Sequence, residues 1–239
     1  MNCKVIGCFG AYPEAFAPTS GYLVEENGTK VLLDCGSGVL SYLQEWLPLS
    51  ELDAVVISHY HPDHCADLGC LQYAVMIDHQ LKRRTKSFCA WGPGEEERLT
   101  YKEYCSGRSY LETDSFQIGG LTFEITRNIH EIPSFAIKIT GSDGTSLVYS
   151  GDTGFYDGLA SFARNADCFI CESSFYEYQR FNSKEHLTSA EAAQIAQKAN
   201  VKRLVLTHLP HYGTWNQLKE EAGACYDGEI LLAEPGLIL

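Results

Sequence analysis

The sequence DAVVISHYHPDH, residues 53–64, places three imidazoles and one carboxylate directly after an apolar run. The run predicts a strand and the apolar stretch beyond it predicts a helix, so HYHPDH lies on the loop between them. On that loop His59 and His61 can bind one ion, while Asp63 and His64 can point at a second one. Imidazole and carboxylate donors without thiolate suit an open, catalytic metal site. The alternative is a polar loop that happens to be rich in histidine.

Other short apolar runs also end on residues that can bind metals or transfer protons. The runs are KVLLDCGSG, DAVVISHYH, LTFEITRNIH, SLVYSGDT, CFICESS and RLVLTH, and their terminal residues are Asp34, His59, His130, Asp152, Glu172 and His208. Active sites gather at one edge of a layered sheet, so we expect these side chains to meet in one cavity.

Helical stretches alternate with these runs and predict an α/β protein. The stretches are SGVLSYLQEWL, CADLGCLQYAVMIDHQLK and SAEAAQIAQKAN. The turn signals ENG at residues 26–28 and GSDG at residues 141–144 predict antiparallel hairpins, so part of the sheet structure should be antiparallel. Since the sequence shows no repeat, low-complexity tract or linker, we expect a single domain over residues 1–239.

The composition restricts the partners and the compartment. Eighteen basic and 31 acidic residues give a net charge of −13, which repels nucleic-acid backbones, so we expect no long nucleic acid as a partner. The start MNCKVIGCFG lacks a signal peptide and no long apolar stretch follows, so we expect a cytoplasmic protein without a membrane partner. The ten scattered cysteines, including Cys168 and Cys171, are interpreted as reduced core residues. The basic run at residues 82–86 is interpreted as a solvated helix end.

The order of the motifs resembles the metallo-β-lactamase superfamily. HxHxDH after a strand, the isolated His130, Asp152 in a GDT turn and His208 after a strand match its motifs, from LLDCGSG to LVLTHL. Within the superfamily, NIHEIPSFAIKI, YSGDT and HLTSAEAAQIA resemble the ribonuclease Z branch, which also contains small phosphodiesterases. The resemblance implies a four-layer αββα sandwich with mixed sheets, and it suggests a homodimer.

The resemblance also implies a dinuclear site for two divalent ions, with zinc expected first and manganese or iron as alternatives. The first metal would be bound by His59, His61 and His130, and the second by Asp63, His64 and His208. Asp152 would bridge both ions, with a bridging hydroxide as the nucleophile. Asp63 and Asp152 are therefore expected to act in catalysis as well as in metal binding.

His186 lies outside this ligand set and is the expected proton donor. Thr188 and Glu191 have capping-box spacing, so a helix should begin there and leave His186 on the preceding loop. An imidazole in that position can protonate a leaving alkoxide or stabilise charge on the phosphoryl group. The His of the HxT motif in the ribonuclease Z branch serves in this way. Without the resemblance, a surface histidine is the ordinary alternative.

Five further residues have two interpretations or a structural one. Asp34 can orient a liganding His, as the family's acidic residue does, or stabilise a turn. Asp67 can contact a ligand His or favour a helix N-terminus by its charge. Glu172 can be a hydrogen-bond partner of other residues within the site, or an acid whose hydrogen bonds are satisfied within a turn. His211 can line the pocket and contact the substrate, or lie outside it. His79 at a helix end is interpreted as structural.

Two departures from ribonuclease Z bear on the substrate. Only residues 131–151 separate His130 from Asp152, where RNA-processing members carry a long arm. The loop AYPEAFAPTSG has no Lys or Arg, where those members have a basic loop. Together with the negative charge, these departures favour a small phosphodiester such as a cyclic nucleotide or a cyclic phosphoribosyl compound.

Several alternative functions stay open at this point. A thioester or other ester hydrolase of the same fold, ribonuclease Z-type RNA processing, and a non-catalytic metal-bound scaffold or sensor are the alternatives. A β-lactamase is disfavoured because those enzymes are exported and this chain shows no signal. An iron redox protein is disfavoured because His61 stands where an acid is expected.

Overall fold

The computed structural model describes residues 1–239, which form two compact units. The first unit comprises residues 1–111, 118–120 and 234–239, and the second comprises residues 112–117 and 121–233. The single domain expected from the sequence stays a prediction.

The first unit is built on a mixed six-stranded sheet whose strands follow chain order. The strands are β1 Asn2–Gly7, β2 Gly21–Glu26, β3 Thr29–Leu33, β4 Ala54–Val56, β5 Cys89–Pro93 and β6 Ser106–Tyr110. β1 to β3 pair antiparallel and β3 to β6 pair parallel. Its helices are α1 Val39–Leu43, α2 Pro62–Cys65, α3 Leu68–Gln80 and α4 Glu96–Leu99, with a 3₁₀ turn at Leu49–Glu51.

One cluster of buried apolar side chains joins this sheet to its helices. Leu32 of β3 and Val55 of β4 are fully buried and share the cluster with Leu71 and Val75 of α3. Burying each such side chain contributes about 1.5–3 kcal/mol. The core thereby fixes where β3 and β4 end, which decides where the polar residues after them lie.

The second unit contains a mixed seven-stranded sheet in the order β13-β12-β11-β10-β9-β8-β7. The strands are β7 Ser115–Ile118, β8 Leu121–Arg127, β9 Phe135–Thr140, β10 Ser146–Tyr149, β11 Cys168–Glu172, β12 Arg203–Thr207 and β13 Glu229–Leu232. β8 to β10 pair antiparallel, while β10 to β13 pair parallel. Its helices are α5 Asp157–Phe162, α6 Ser189–Ala199 and α7 Trp215–Gly223, with a 3₁₀ turn at Glu177–Gln179.

Helix α6 begins where the capping box predicts. The hydroxyl of Thr188 accepts a hydrogen bond from the Glu191 amide at 3.2 Å, and the Glu191 carboxylate accepts one from the Thr188 amide at 3.0 Å. The two bonds satisfy amides that have no partner within the helix. The helix ends at Asn200, which adopts the left-handed conformation. The segment before Thr188 is consequently a loop, and the capping box fixes the point at which it enters α6.

The predicted α/β class with mixed sheets is confirmed, as are the hairpins at residues 26–28 and 141–144. The first predicted helix is shorter than expected, because α1 covers only Val39–Leu43. After it, the amides of Glu45 and Trp46 bond three residues back, so the chain tightens into turns that lead to Pro48.

The interpretation of the basic run as a solvated helix end is wrong for one residue. Lys82, Arg83 and Lys86 are exposed, but Arg84 is buried. Its guanidinium donates hydrogen bonds of 3.0 Å to the carbonyls of Ser50, Lys86 and Ser87. Arg84 therefore joins the end of α3 to the segment before β4.

The cysteines are all free thiols. Cys168 and Cys171 are buried in β11, as the core interpretation predicts, whereas Cys70 is exposed. Burial raises the pKa of Cys168 to about 12. None of the helices combines the length and the apolar composition that a membrane crossing requires.

Candidate functional site

The HYHPDH loop of the first unit is held by the ends of two neighbouring strands. The amide of Ser20 donates to the Asp63 carbonyl at 3.1 Å, and the amide of Cys35 donates to the His64 carbonyl at 2.8 Å. Gly36 permits this approach, since a Cβ there would lie 2.0 Å from the Asp63 carbonyl oxygen. The backbone thus fixes the loop independently of any ligand.

Two pairs of side chains on this loop have the separation that ligands of one ion require. His59 Nε2 lies 3.2 Å from His61 Nδ1, and His64 Nε2 lies 3.6 Å from Asp63 Oδ2. Two ligands of a tetrahedral zinc at about 2.0–2.1 Å are about 3.3 Å apart. His59 and His64 are fully buried, so water does not compete for their ring nitrogens. The donors and their spacing fit divalent ions.

Asp34 fixes the ring of His64. Its buried carboxylate accepts hydrogen bonds from His64 Nδ1 at 2.7 Å, from Ser58 Oγ at 2.8 Å and from the Ser58 amide at 2.6 Å. Because a carboxylate only accepts, His64 carries its proton on Nδ1 and keeps a lone pair on Nε2 for a metal. Asp34 has φ 54, a left-handed conformation that aspartate tolerates better than most residues.

Ser58 continues this chain of hydrogen bonds to His59. Since the Ser58 hydroxyl donates to Asp34, it can only accept from His59 Nδ1, 3.0 Å away. His59 consequently also directs a lone pair from Nε2. One carboxylate therefore sets the tautomer of two histidines, one directly and one through a serine.

Asp67 has a different environment from Asp34. Its carboxylate accepts a hydrogen bond from the Leu40 amide at 2.9 Å and ties α1 to the start of α3. Burial raises the pKa of Asp67, and hydrogen bonds from the amides of Leu40 and Gly38 oppose that shift. Asp63, by contrast, accepts a hydrogen bond from the Ala11 amide at 2.8 Å.

In the second unit, three polar residues lie at the carboxyl ends of neighbouring parallel strands. Asp152 follows β10, Glu172 ends β11, and His208 follows β12. His208 Nε2 lies 3.2 Å from Asp152 Oδ2, and Asp152 also has a ligand atom within 4.8 Å of one on His130. The first distance is again that of two ligands on one ion. The convergence of strand ends is confirmed within each unit.

His208 and His130 of this unit each contact a protein partner through Nδ1, so Nε2 lies on the far side of the ring from that partner. His208 Nδ1 lies 2.7 Å from Ser174 Oγ, and His130 Nδ1 lies 3.1 Å from the Glu185 carbonyl oxygen. The carbonyl can only accept, so His130 carries its proton on Nδ1. Metal-binding histidines commonly show this arrangement. His208 itself has φ 55, a strained conformation for a non-glycine residue.

The turn that carries Asp152 is fixed through its backbone. Asn128 Nδ2 donates to the carbonyl of Asp152 at 3.1 Å, and Ser134 Oγ donates to the same oxygen at 2.8 Å. Gly154 lets the loop before α6 approach, because a Cβ there would lie 1.9 Å from the Lys184 carbonyl oxygen. Gly154 of the GDTG sequence is thus required by packing.

Glu172 accepts a hydrogen bond from His186, so of its two interpretations the structure supports a partner within the site. Its carboxylate is 1 % exposed and accepts four hydrogen bonds. Oε1 accepts from the Thr153 amide at 2.7 Å and from His186 Nδ1 at 3.1 Å. Oε2 accepts from Ser174 Oγ at 2.7 Å and from the Leu187 amide at 3.1 Å. His186 therefore lies on the loop, as predicted, with Nε2 turned away from Glu172.

The pKa of His186 lies above its ordinary value. Burial lowers this pKa, but the carboxylates of Glu172 and Asp152 together raise it by more. Its ring lies 5.5 Å from that of His208 and 5.2 Å from that of His130. The arrangement can therefore carry a proton beside metal-binding groups.

The remaining candidates lie outside these contacts, and some important residues carry no sequence signal. His211 is half-buried three residues beyond His208 and belongs to none of the ligand-type groups, while His79 lies in the last turn of α3. Ser58 and Ser174 were not predicted. Serine is common at strand ends. Only the closeness of Ser58 to His59 and of Ser174 to Glu172 in the sequence could have indicated their roles.

Comparisons with known proteins agree with this geometry. Residues 29–209 match the family model of the β-lactamase superfamily domain. The chain is 38% identical over 242 residues to the probable metallo-hydrolase YhfI of Bacillus subtilis (strain 168), covering 100% of this chain and 99% of YhfI. The crystal structure of YhfI superposes with a TM-score of 0.96 at 36% identity, covering 100% of this chain and 98% of the other.

A ribonuclease Z from Methanopyrus kandleri is also similar, at 27% identity over 274 residues, covering 99% of this chain and 96% of that protein. The suspected resemblance is confirmed by these matches. The family model and the 38% identical relative show that this chain belongs to the β-lactamase superfamily, as a metallo-hydrolase of that fold with His and Asp clusters suited to metal ions.

Proposed function

We propose that this protein hydrolyses a small phosphodiester with two divalent ions. The proposed ligands are His59, His61, Asp63, His64, His130, Asp152 and His208. The proposal is supported by the motif order of the family and by the pairs of donors that each unit presents at 3.2–3.6 Å. When bound, such ions polarise a phosphoryl oxygen and activate water.

The observation that carries the phosphodiester proposal is the contact between His186 and Glu172. An alkoxide leaving a phosphodiester is a strong base and needs a proton as the P–O bond breaks. His186 keeps Nδ1 on Glu172 and can deliver a proton from Nε2 in its cationic form. A thiolate leaves a thioester with little need for such a donor. The arrangement therefore favours phosphodiesters over thioesters.

The region between His130 and Asp152 supports a small substrate. It contains β9, the turn at residues 141–144 and β10, and this hairpin leaves no residues for an additional arm. The net charge of −13 also disfavours the RNA that the name of the ribonuclease Z relative indicates. We infer that cyclic nucleotides and cyclic phosphoribosyl compounds are the first substrates to test, with zinc as the first metal and manganese next.

The proposed metal set can be tested by metal content. The wild-type protein should hold two ions per chain, and His59→Ala in one unit and His130→Ala in the other should each lower the content to about one ion. His79→Ala, which removes a histidine outside the set, should leave two ions. Full occupancy in the His130→Ala variant would show that His130 is not a ligand of the first metal.

The proposed reaction can be tested with the zinc- or manganese-loaded protein. Bis(p-nitrophenyl) phosphate and cyclic nucleotides should be hydrolysed, and a thioester and a cephalosporin should not. With a cyclic nucleotide, whose leaving alkoxide needs a proton, His186→Ala should lower kcat by roughly 10²–10⁴-fold while the metal content stays unchanged. Turnover of the thioester without turnover of any phosphodiester would overturn the proposal.

A further inference from the structure

We propose that Ser174 is a positioning residue that couples the metal ligand His208 to the proton donor His186 through Glu172. The inference rests on the proposed function and names a residue that the family motifs do not mark. Ser174 lies two residues after Glu172, where β11 ends, and its hydroxyl is half-buried among three side chains of the second unit.

The distances leave one consistent arrangement of protons. Ser174 Oγ lies 2.7 Å from Glu172 Oε2 and 2.7 Å from His208 Nδ1. A serine hydroxyl donates one hydrogen bond, and a carboxylate can only accept. The Ser174 proton therefore points to Glu172, and His208 Nδ1 must donate to Ser174. His186 Nδ1 lies 3.4 Å from the same oxygen and 3.1 Å from Glu172 Oε1, so its proton belongs to Glu172.

The backbone on both sides keeps Ser174 in this position. The amide and the hydroxyl of Ser173 both donate to the Thr207 carbonyl, at 2.8 and 3.1 Å. On the other side, the amide of Phe175 donates to the Leu187 carbonyl at 3.2 Å. The hydroxyl of Ser174 thus cannot follow one partner without losing the other.

This arrangement links metal binding at His208 to the orientation of His186. When Nε2 of His208 holds an ion, its Nδ1–H becomes a stronger donor and fixes the oxygen of Ser174 more firmly. The serine proton then stays on Glu172 Oε2, which leaves Oε1 for His186. Neighbouring hydrogen bonds in such a buried chain strengthen one another.

The test compares Ser174→Ala with Ser161→Ala, which removes an exposed serine hydroxyl of α5 that donates to the Asp157 carbonyl. Ser174→Ala should weaken zinc affinity, measured by competition with a chromogenic chelator, by about 10–100-fold. At saturating zinc, kcat for the phosphodiester should still be about tenfold lower or more, while KM stays nearly unchanged. Ser174→Thr, which keeps the hydroxyl, should restore both values, and Ser161→Ala should resemble the wild type.

A double-mutant cycle on zinc affinity tests the coupling without any activity measurement. Glu172→Gln should weaken zinc binding when Ser174 is present and have little further effect in the Ser174→Ala background. Equal effects in both backgrounds would overturn the coupling, as would wild-type kcat of Ser174→Ala at saturating zinc. If the wild type hydrolyses no phosphodiester, the proposed function fails, but the zinc cycle still decides the role of Ser174. Ser174→Gly replaces Ser174→Ala if circular dichroism shows that the alanine variant does not fold.

Discussion

Replacing Asp34 by asparagine should weaken metal binding without disturbing the backbone. Asparagine accepts the left-handed conformation at φ 54, whereas alanine would add strain of its own. The side-chain oxygen can keep the bond to the Ser58 amide. The new amide group would face His64 Nδ1, now 2.7 Å from the carboxylate, and it can only donate there. His64 would then have to carry its proton on Nε2, the atom that a metal needs.

The expected loss follows from the value of such partners of metal-bound histidines. It is about 10–100-fold in metal affinity, or about 1.4–2.7 kcal/mol. Chelator competition with zinc measures it, with Asp53→Asn as the control. Asp53 also accepts a backbone hydrogen bond, from Lys30 at 2.9 Å, but contacts no histidine. Unchanged zinc affinity in Asp34→Asn would refute the claim that Asp34 sets the tautomer of His64.

Three further predictions concern reactivity and stability. A thiol reagent should modify the exposed Cys70 first in the native protein and all ten thiols only after denaturation. Buried thiols react slowly because burial raises their pKa, for Cys8 to about 12. Cys70→Ser should remove the fast phase of the modification. Hydrogen bonds from Lys202 and Ser146 lower the pKa of Asp167 in the folded protein below its ordinary value near 3.8. Ionised Asp167 therefore stabilises the fold at pH values above 3.8, and this stabilisation is lost as the pH falls through the lowered pKa. Below about pH 4, the free energy of unfolding of Asp167→Asn, measured with urea, should fall less steeply with pH than that of the wild type. An equal slope in the two proteins would contradict this. Arg84→Met should lower the free energy of unfolding by about 3 kcal/mol, because three carbonyls lose the buried guanidinium as a charged donor, with zinc content unchanged; a loss under about 1 kcal/mol would contradict this account.

The parts of the fold that follow local rules could be predicted from the sequence. The strand before HYHPDH, the hairpins at residues 26–28 and 141–144 and the start of α6 at Thr188 each depend on residues close together in the chain. The polar strand ends could be predicted for the same reason, because parallel neighbours bring their carboxyl ends to one edge.

The rest depends on contacts between distant segments. Arg84 is buried because carbonyls from residues 50, 86 and 87 converge on it, and no pattern within the basic run indicates this. Glu172 could be recognised as the partner of His186 only once the loop before α6 was seen to return to β11. Ser58 and Ser174 are ordinary serines in the sequence, and their importance arises from the orientation of their hydroxyl groups.

The hairpin of β9 and β10 offers a place for protein engineering. Its strands start and finish beside His130 and Asp152, but its tip at Ser142, Asp143 and Gly144 is exposed, and a Cβ on Gly144 would meet nothing within 4 Å. Four strand residues at about 3.3 Å each put the tip on the order of 13 Å from the strand ends near His130 and Asp152. Peptide tags, fluorophores or a transplanted recognition arm inserted there should leave both side chains undisturbed, which makes this tip a permissive site for grafting.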